Sequence, residues 1–202
     1  MSHAFWDQRY AAADFKYGTE PNAFLQAQAS LIAPASRVLV PGDGEGRNGV
    51  WLAEQGHEVL SVDASPVGLA KAQILAQRRH CAIDTLEADL NDWDPGIARF
   101  DAVVMIFVHL PAALRQRIHR KLALALKPGG RFLLEVFHPL QLERGSGGPT
   151  DLDMLPTLAD IRQDLQGILT ETLGTEGVDH LAEGAGHQGE AYLTRYLGQR
   201  LR

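Results

Sequence analysis

The chain has 202 residues and a formal net charge of −6, from 19 Lys and Arg against 25 Asp and Glu. That length holds one substantial core and not two ordinary domains, and the charge balance excludes a polycationic nucleic-acid binder. Apolar residues make up 45% and charged residues 22%, the balance of a soluble globular protein.

Residues 1 to 30 contain Phe5, Trp6, Tyr10, Phe15, Tyr17 and Phe24, six of the fourteen aromatics in the chain. They read as two short helices with the turn Tyr17-Gly18-Thr19-Glu20-Pro21 between them. No long apolar segment marks a secretory signal there. Ser36 to Pro41 is a β-branched run ending in Gly42-Asp43-Gly44-Glu45-Gly46, and Asn48 to Gln55 reads as a helix stopped by Gly56. Glu58 to Val62 is a second strand ending at Asp63, and Pro66 opens a helix reaching about Arg79. Ala82 to Glu87 is a weaker third strand, ended by Asp89. Phe100 to Val108 is nearly all apolar, as in a parallel strand covered on both faces. It is too short, against the ~20 residues required, to cross a membrane.

Pro111 to Leu126 is an amphipathic helix stopped by Lys127-Pro128-Gly129-Gly130 before the strand Arg131 to Phe137. Gln141 to Thr150 reads as a flexible loop and Leu158 to Leu165 as a helix. Gly167 to Glu176 and Glu190 to Leu197 alternate as a terminal strand pair, with Gly177 to Gly189 as a loop between them. Strand–helix alternation of this length predicts an α/β fold, a parallel sheet between helix layers. The single cysteine, Cys81, has no internal partner, which agrees with a cytoplasmic location; its place at a strand start reads as a small buried residue.

The turn Gly42-x-Gly44-x-Gly46 carries the functional argument. Glycine serves where the backbone must approach a ligand or adopt positive φ, and a strand entering such a turn before a helix presents backbone N–H groups to a nucleotide-like molecule. The dinucleotide spacing G-x-G-x-x-G is not met, because Arg47 and Asn48 follow Gly46 directly. With no Tyr-x-x-x-Lys pair either, an NAD(P)-linked oxidoreductase is disfavoured. Asp63, at the end of the next strand, is placed to accept two ribose hydroxyls. The structural alternative is a tight turn beside a solvated Asp63.

These blocks together carry a resemblance. Val38-Leu39-Val40-Pro41-Gly42-Asp43-Gly44-Glu45-Gly46-Arg47-Asn48, then Asp63, Asp89-Leu90 and Lys127-Pro128-Gly129-Gly130, resemble the class I S-adenosylmethionine-dependent methyltransferases. Trp6-Asp7-x-x-Tyr10, Tyr17-Gly18-x-x-Pro21-Asn22 and Gly46-Arg47-Asn48 are similar to the tellurite-resistance and thiopurine methyltransferase branch. The resemblance implies a Rossmann-like seven-stranded sheet of order 3-2-1-4-5-7-6 with its last strand antiparallel, as a single domain over residues 1–202 with residues 1–30 as a helical lid. It implies S-adenosyl-L-methionine as cofactor. Gly42, Gly44 and Gly46 would pass beneath its methionine and ribose portions, and Asp63 with Ala64 would meet the ribose. Asp89 and Leu90 would meet the adenine, and Phe107 the methionine portion. Arg9 or Arg47 would pair with the carboxylate, with Tyr17 in the lid. The sequence departs from many members at Val40, where an acidic residue is common two places before the first glycine.

His109, His138 and His187 follow or precede strands whose carboxyl ends share one edge, and His109 and His138 are the candidate catalytic bases. The alternative for each is a hydrogen-bonded loop histidine. No ligand spacing points to a metal, and His3, His57, His80, His119 and His180 read as surface or helix-face residues. Phe107-Val108-His109-Leu110-Pro111 stands where amino-methylating enzymes of adenine or glutamine carry Asn/Asp-Pro-Pro-aromatic. The expected reaction is therefore methyl transfer to a small molecule, a thiol or a chalcogen oxyanion, with neither nucleic acid nor membrane as partner. A non-catalytic cofactor binder is the competing reading.

Overall fold

Short apolar runs form the central strands, and apolar residues recurring every three or four positions mark the helices. The computed structural model describes residues 3–201. Helices α1 (His3–Tyr10) and α2 (Ala23–Gln28) precede β1 (Arg37–Pro41), α3 (Arg47–Glu54), β2 (Glu58–Asp63), α4 (Pro66–Arg78) and β3 (Asp84–Glu87). There follow β4 (Phe100–Ile106), α5 (Ala112–Ala125), β5 (Leu126–Phe137), α6 (Leu158–Leu165), β6 (Leu169–Glu183) and β7 (His187–Arg200). The strands form one sheet of order β3-β2-β1-β4-β5-β7-β6. The first five are mutually parallel, and β7 runs antiparallel to both β5 and β6, the implied topology.

Alternation along β4 divides the core. Val103 and Met105 pack with Phe132, Leu134 and the helix residues Ile118, Leu122 and Ile161. Ala102 and Val104 pack with Val38, Val40, Leu25, Val50 and Leu52 on the other face. Both faces of β4 are thus sealed, which is why its sequence is continuous rather than alternating. Local signals fix the helix ends. Ser65 accepts the Gly68 N–H at 3.0 Å ahead of Pro66, and Thr157 and Asp160 form a capping box at α6.

The structure corrects three sequence expectations. The segment read as a loop, 177 to 189, is mostly hairpin: β6 and β7 stay paired as far as Glu183↔His187, and only Gly184-Ala185-Gly186 turns. Between β3 and β4 the chain, for which the sequence predicts no element, runs without a helix past Pro95 and Gly96. Cys81 stands half-buried before β3 rather than in it. His119 is not on the surface: it is buried on α5 with Nδ1 at 2.9 Å from Asp164, which also accepts from Arg115 at 2.8 Å. No helix among the described residues is long and apolar enough to cross a membrane.

Candidate active site

The first strands end on one edge of the sheet, and a cavity of about 250 Å³ lies there. Its walls follow the strand order. Asp89 and Leu90 follow β3, Asp63 and Ala64 end β2, and Gly42 and Asp43 follow β1. Phe107 to Leu110 follow β4, Phe137 ends β5, and His187 opens β7. This is where open α/β sheets bind ligands, at the point where strand order reverses.

The glycine turn separates into three roles. Gly42 (φ +66°) lines the cavity, and a Cβ there would meet Val108 at 2.5 Å. Gly44 and Gly46 do not line it, contrary to expectation. Gly44 is covered by the Tyr10 hydroxyl, and Gly46 (φ +87°) lets α3 approach α4, its missing Cβ facing that of Ala72 at 2.5 Å. Asp63 is buried and accepts N–H groups from Gly44 at 2.8 Å and Ser65 at 2.9 Å. Burial raises its pKa against those two bonds. Asp89 is half-exposed and caps its own turn through the Asn91 N–H.

Sequence reasoning missed Asp43. Its carboxylate turns under the loop, accepts the Ser61 hydroxyl at 2.5 Å and the Gly49 N–H at 3.2 Å, and fills the space where a Gly49 side chain would stand. Complete burial raises its pKa to about 6, with the Ser61 and Gly49 bonds opposing the shift. The carboxylate absent at Val40 is thus matched by one three residues on, held from behind the turn.

The far end of the cavity is built from rings. Phe107 adopts φ +55°, a conformation a bulky residue rarely holds. Its N–H donates to Glu135 at 2.8 Å, and its ring stacks on Phe137 at 4.8 Å. His109 stacks on Phe137 at 5.5 Å, and His187 packs on Phe107 at 4.4 Å and Tyr17 at 4.6 Å. The Nδ1 of His109 donates to the Met154 carbonyl at 3.2 Å, so the proton sits on Nδ1 and Nε2 keeps a bare lone pair, buried and without a partner among the described residues. Burial lowers the His109 pKa to about 4, leaving the ring neutral. Burial likewise lowers that of His187. His138 does not reach the cavity. Its Nδ1 accepts the Leu140 N–H in the turn after β5, and its Nε2 faces Glu176 at 3.3 Å, so the backbone turn points it toward β6.

Helix α1 closes the top. Phe5, Trp6, Arg9 and Tyr10 line the cavity, with Trp6 stacked on Tyr10 at 5.6 Å. Arg9 donates to the Tyr17 hydroxyl at 2.6 Å. Lys71 on α4 holds the segment down, bonding the carbonyls of Ala12 and Asp14 and pairing with Glu45. Arg47, the first residue of α3, is buried and lines the cavity beside Asn48.

An adenosyl sulfonium with an amino-acid tail fits this donor set. Two acidic groups at the ends of β2 and β3 suit ribose hydroxyls and an adenine amine, Ala64, Ala88 and Leu90 give an apolar slot, and the unpartnered Nη1 of Arg47 suits a carboxylate.

A methyltransferase-domain model matches residues 38–130. The thiopurine S-methyltransferase of Xanthomonas campestris pv. campestris is 33% identical over 174 residues, covering 76% of this chain and 78% of that protein. The 2-heptyl-1-hydroxyquinolin-4(1H)-one methyltransferase of Mycobacteroides abscessus is 28% identical over 115 residues, a match spanning about half of that protein (51%). The N-methyltransferase NodS of Bradyrhizobium japonicum, solved with S-adenosylhomocysteine, superposes with a TM-score of 0.74 at 15% identity over 99% of this chain and 98% of that one. Sheet order, motif order and these relatives agree: the chain belongs to the class I S-adenosylmethionine-dependent methyltransferases.

Proposed function

We propose that this chain transfers a methyl group from S-adenosylmethionine to a small, planar, uncharged acceptor bearing a thiol or an acidic hydroxyl. The supporting observation is the far end of the cavity. The residues walling it, Phe107, His109, Leu110, Phe137, Pro149 and His187, carry no fixed charge, and their rings favour a flat apolar partner. A chalcogen oxyanion, the other acceptor class and the one behind tellurite resistance, would have to shed its hydration against these ring walls, while Arg47 and Arg9, the cations whose charge reaches His187, are already engaged by Glu183 and the Tyr17 hydroxyl. The two relatives whose names describe heteroaromatic acceptors point the same way.

The cofactor supplies an electrophilic methyl group on a sulfonium; the protein binds, aligns and dries the site. Asp63 would hold the ribose hydroxyls with the lone pairs its two backbone bonds leave free. Asp89 and the Leu90 backbone would meet the adenine, and Arg47 the carboxylate. Methyl transfer needs in-line approach to within about 3–3.5 Å, and holding that geometry is worth several kcal/mol. The bare Nε2 of His109 would accept a hydrogen bond from the acceptor's S–H or O–H and set its direction. With a pKa near 4, the neutral His109 orients the S–H or O–H in the ground state and would take its proton only as the acceptor gains the methyl group and that proton becomes strongly acidic, releasing it afterwards to solvent. Helix α1 would act as a lid excluding water. With one unpaired cysteine and a net charge of −6, we place the enzyme in the cytoplasm, acting on neither nucleic acid nor membrane.

Calorimetric titration with S-adenosylhomocysteine, followed by a screen of heteroaromatic thiols, hydroxyquinolines, catechol, selenide and tellurite with bound cofactor, tests the proposal. Binding plus turnover of a planar thiol or hydroxyl supports it. No binding at high micromolar concentration removes the cofactor reading, and binding without transfer to any acceptor leaves a cofactor-binding protein instead.

A further inference from the structure

Arg47 is anchored from a distant part of the chain. Its Nη2 donates to Glu183 Oε2 at 2.6 Å, 136 positions away at the tip of the β6–β7 hairpin, while its Nη1 is buried at the cavity wall without a partner among the described residues. Glu183 is itself fixed: Oε1 accepts from Asn22 Nδ2 at 2.9 Å and the Ala23 N–H at 3.3 Å. Asn22 in turn donates to Asn48 at 2.9 Å and to Glu135 at 2.6 Å, and Glu135 pairs with Arg195. The hairpin tip is seated on the N-terminal segment. The Gly186 N–H donates to the Lys16 carbonyl at 3.0 Å, and Gly184 packs against Tyr17 and Gly18 where any side chain would collide.

A guanidinium cannot shed its proton, so a buried N–H without a partner on one arm calls for a hydrogen-bond acceptor, and a carboxylate oxygen makes the strongest one. Burial would raise the Glu183 pKa, but the nearby His187 and the charge and hydrogen bond of Arg47 hold it down at about 2, so the pair is ionised at every working pH. The rigid fork of Arg47 then transmits orientation: with Nη2 pinned, the direction of Nη1 is set.

We propose that Glu183 is a positioning residue of the cofactor site, holding one arm of Arg47 so that the other is aimed at the carboxylate of the cofactor's amino-acid portion. This rests on the cofactor reading above and makes the hairpin tip part of the binding site, with His187 from the same turn walling the acceptor end.

The test compares two probes on the full chain by calorimetry: S-adenosylhomocysteine, and methylthioadenosine, which keeps the adenosine and the sulfur but lacks the amino-acid carboxylate. Glu183→Gln should weaken S-adenosylhomocysteine by about tenfold or more while methylthioadenosine stays within about twofold. Arg47→Lys, which keeps the charge but loses the fork, should show the same selectivity, and combining it with Glu183→Gln should add little. Equal weakening of both probes, or losses that multiply in the double variant, would overturn the proposal and leave a buried structural ion pair. If Glu183→Gln does not fold, Glu183→Asp, which keeps the charge but draws it back by one methylene, takes its place and decides by the same ratio. Failure of the unmodified chain to bind either probe counts instead against the cofactor reading.

Discussion

Asp43 is the residue whose removal should strengthen the fold. Its carboxylate is buried with two hydrogen bonds, from Ser61 and Gly49, and no salt-bridge partner among the described residues; burial and the charge of Asp63 outweigh these bonds and the charge of Arg47, and its pKa rises from the ordinary 3.8 to about 6. A raised carboxyl pKa means the folded state holds its proton more tightly than the unfolded chain does. Its stabilising effect is therefore complete below pH 3.8 and is lost as pH rises through about 6. The separation of about two units corresponds to about 3 kcal/mol at neutral pH, at 1.36 kcal/mol per unit. Asp43→Asn keeps an acceptor for the Gly49 N–H and removes the charge. The variant should gain about 1 kcal/mol over wild type at pH 4.5 and about 3 kcal/mol at pH 7.5. Urea denaturation at both pH values reads the difference; the titrating groups that do not face Asp43 are common to the pair and cancel, and the charge of Asp63, which raises the Asp43 pKa, enters the same pH-dependent part. A constant offset of either sign at the two pH values would refute the argument, because only the pH-dependent part reports the buried charge.

Three further outcomes follow from the same geometry. Asp63→Ala should weaken S-adenosylhomocysteine binding by about 1.5–3 kcal/mol, the loss of hydrogen bonds to a charged acceptor; unchanged calorimetric affinity in a folded variant would sink the ribose assignment. Gly46→Ala should lower stability by about 2–4 kcal/mol in urea melts, since it combines φ +87° with a Cβ pressed on Ala72. His109→Phe should raise the acceptor KM by about tenfold or more and leave cofactor affinity unchanged, as expected for one lost hydrogen bond at the acceptor end. A matching loss in cofactor affinity would place His109 elsewhere.

The sheet was legible because its determinants are local. The unbroken apolar run Ala102 to Val108 announces a strand sealed on both faces, and Ser65-Pro66 announces the start of α4. The hairpin was legible only at its base. Beyond Glu176 the paired residues include Asp179, His180, Gln188 and Glu190, polar positions on a largely exposed ribbon, so their strand character comes from the partner strand rather than from burial. The Asp89–Arg99 connection escaped for the opposite reason: its fixed points are the Asp89 turn and the Lys121 bonds to the carbonyls of Leu90, Asn91 and Trp93, made by a helix thirty residues on.

The site divides along the same line. Residues at strand ends, Asp63, Asp89, Phe107 and His109, stand at the cavity because strand ends are set by local patterning. His138 also follows a strand, yet one hydrogen bond to its own turn points it away. Asp43 reads as a solvated loop carboxylate until Gly49 and Ser61, six and eighteen positions later, are folded around it. Arg47 gains its orientation only from Glu183. Local sequence thus identifies which groups approach a ligand, whereas their ionisation and aim depend on contacts made across the fold. Low dielectric makes those distant contacts strong, and that is why substitutions at Asp43 and Glu183, neither marked by any motif, are expected to move stability and cofactor selectivity as much as changes at the motif residues themselves.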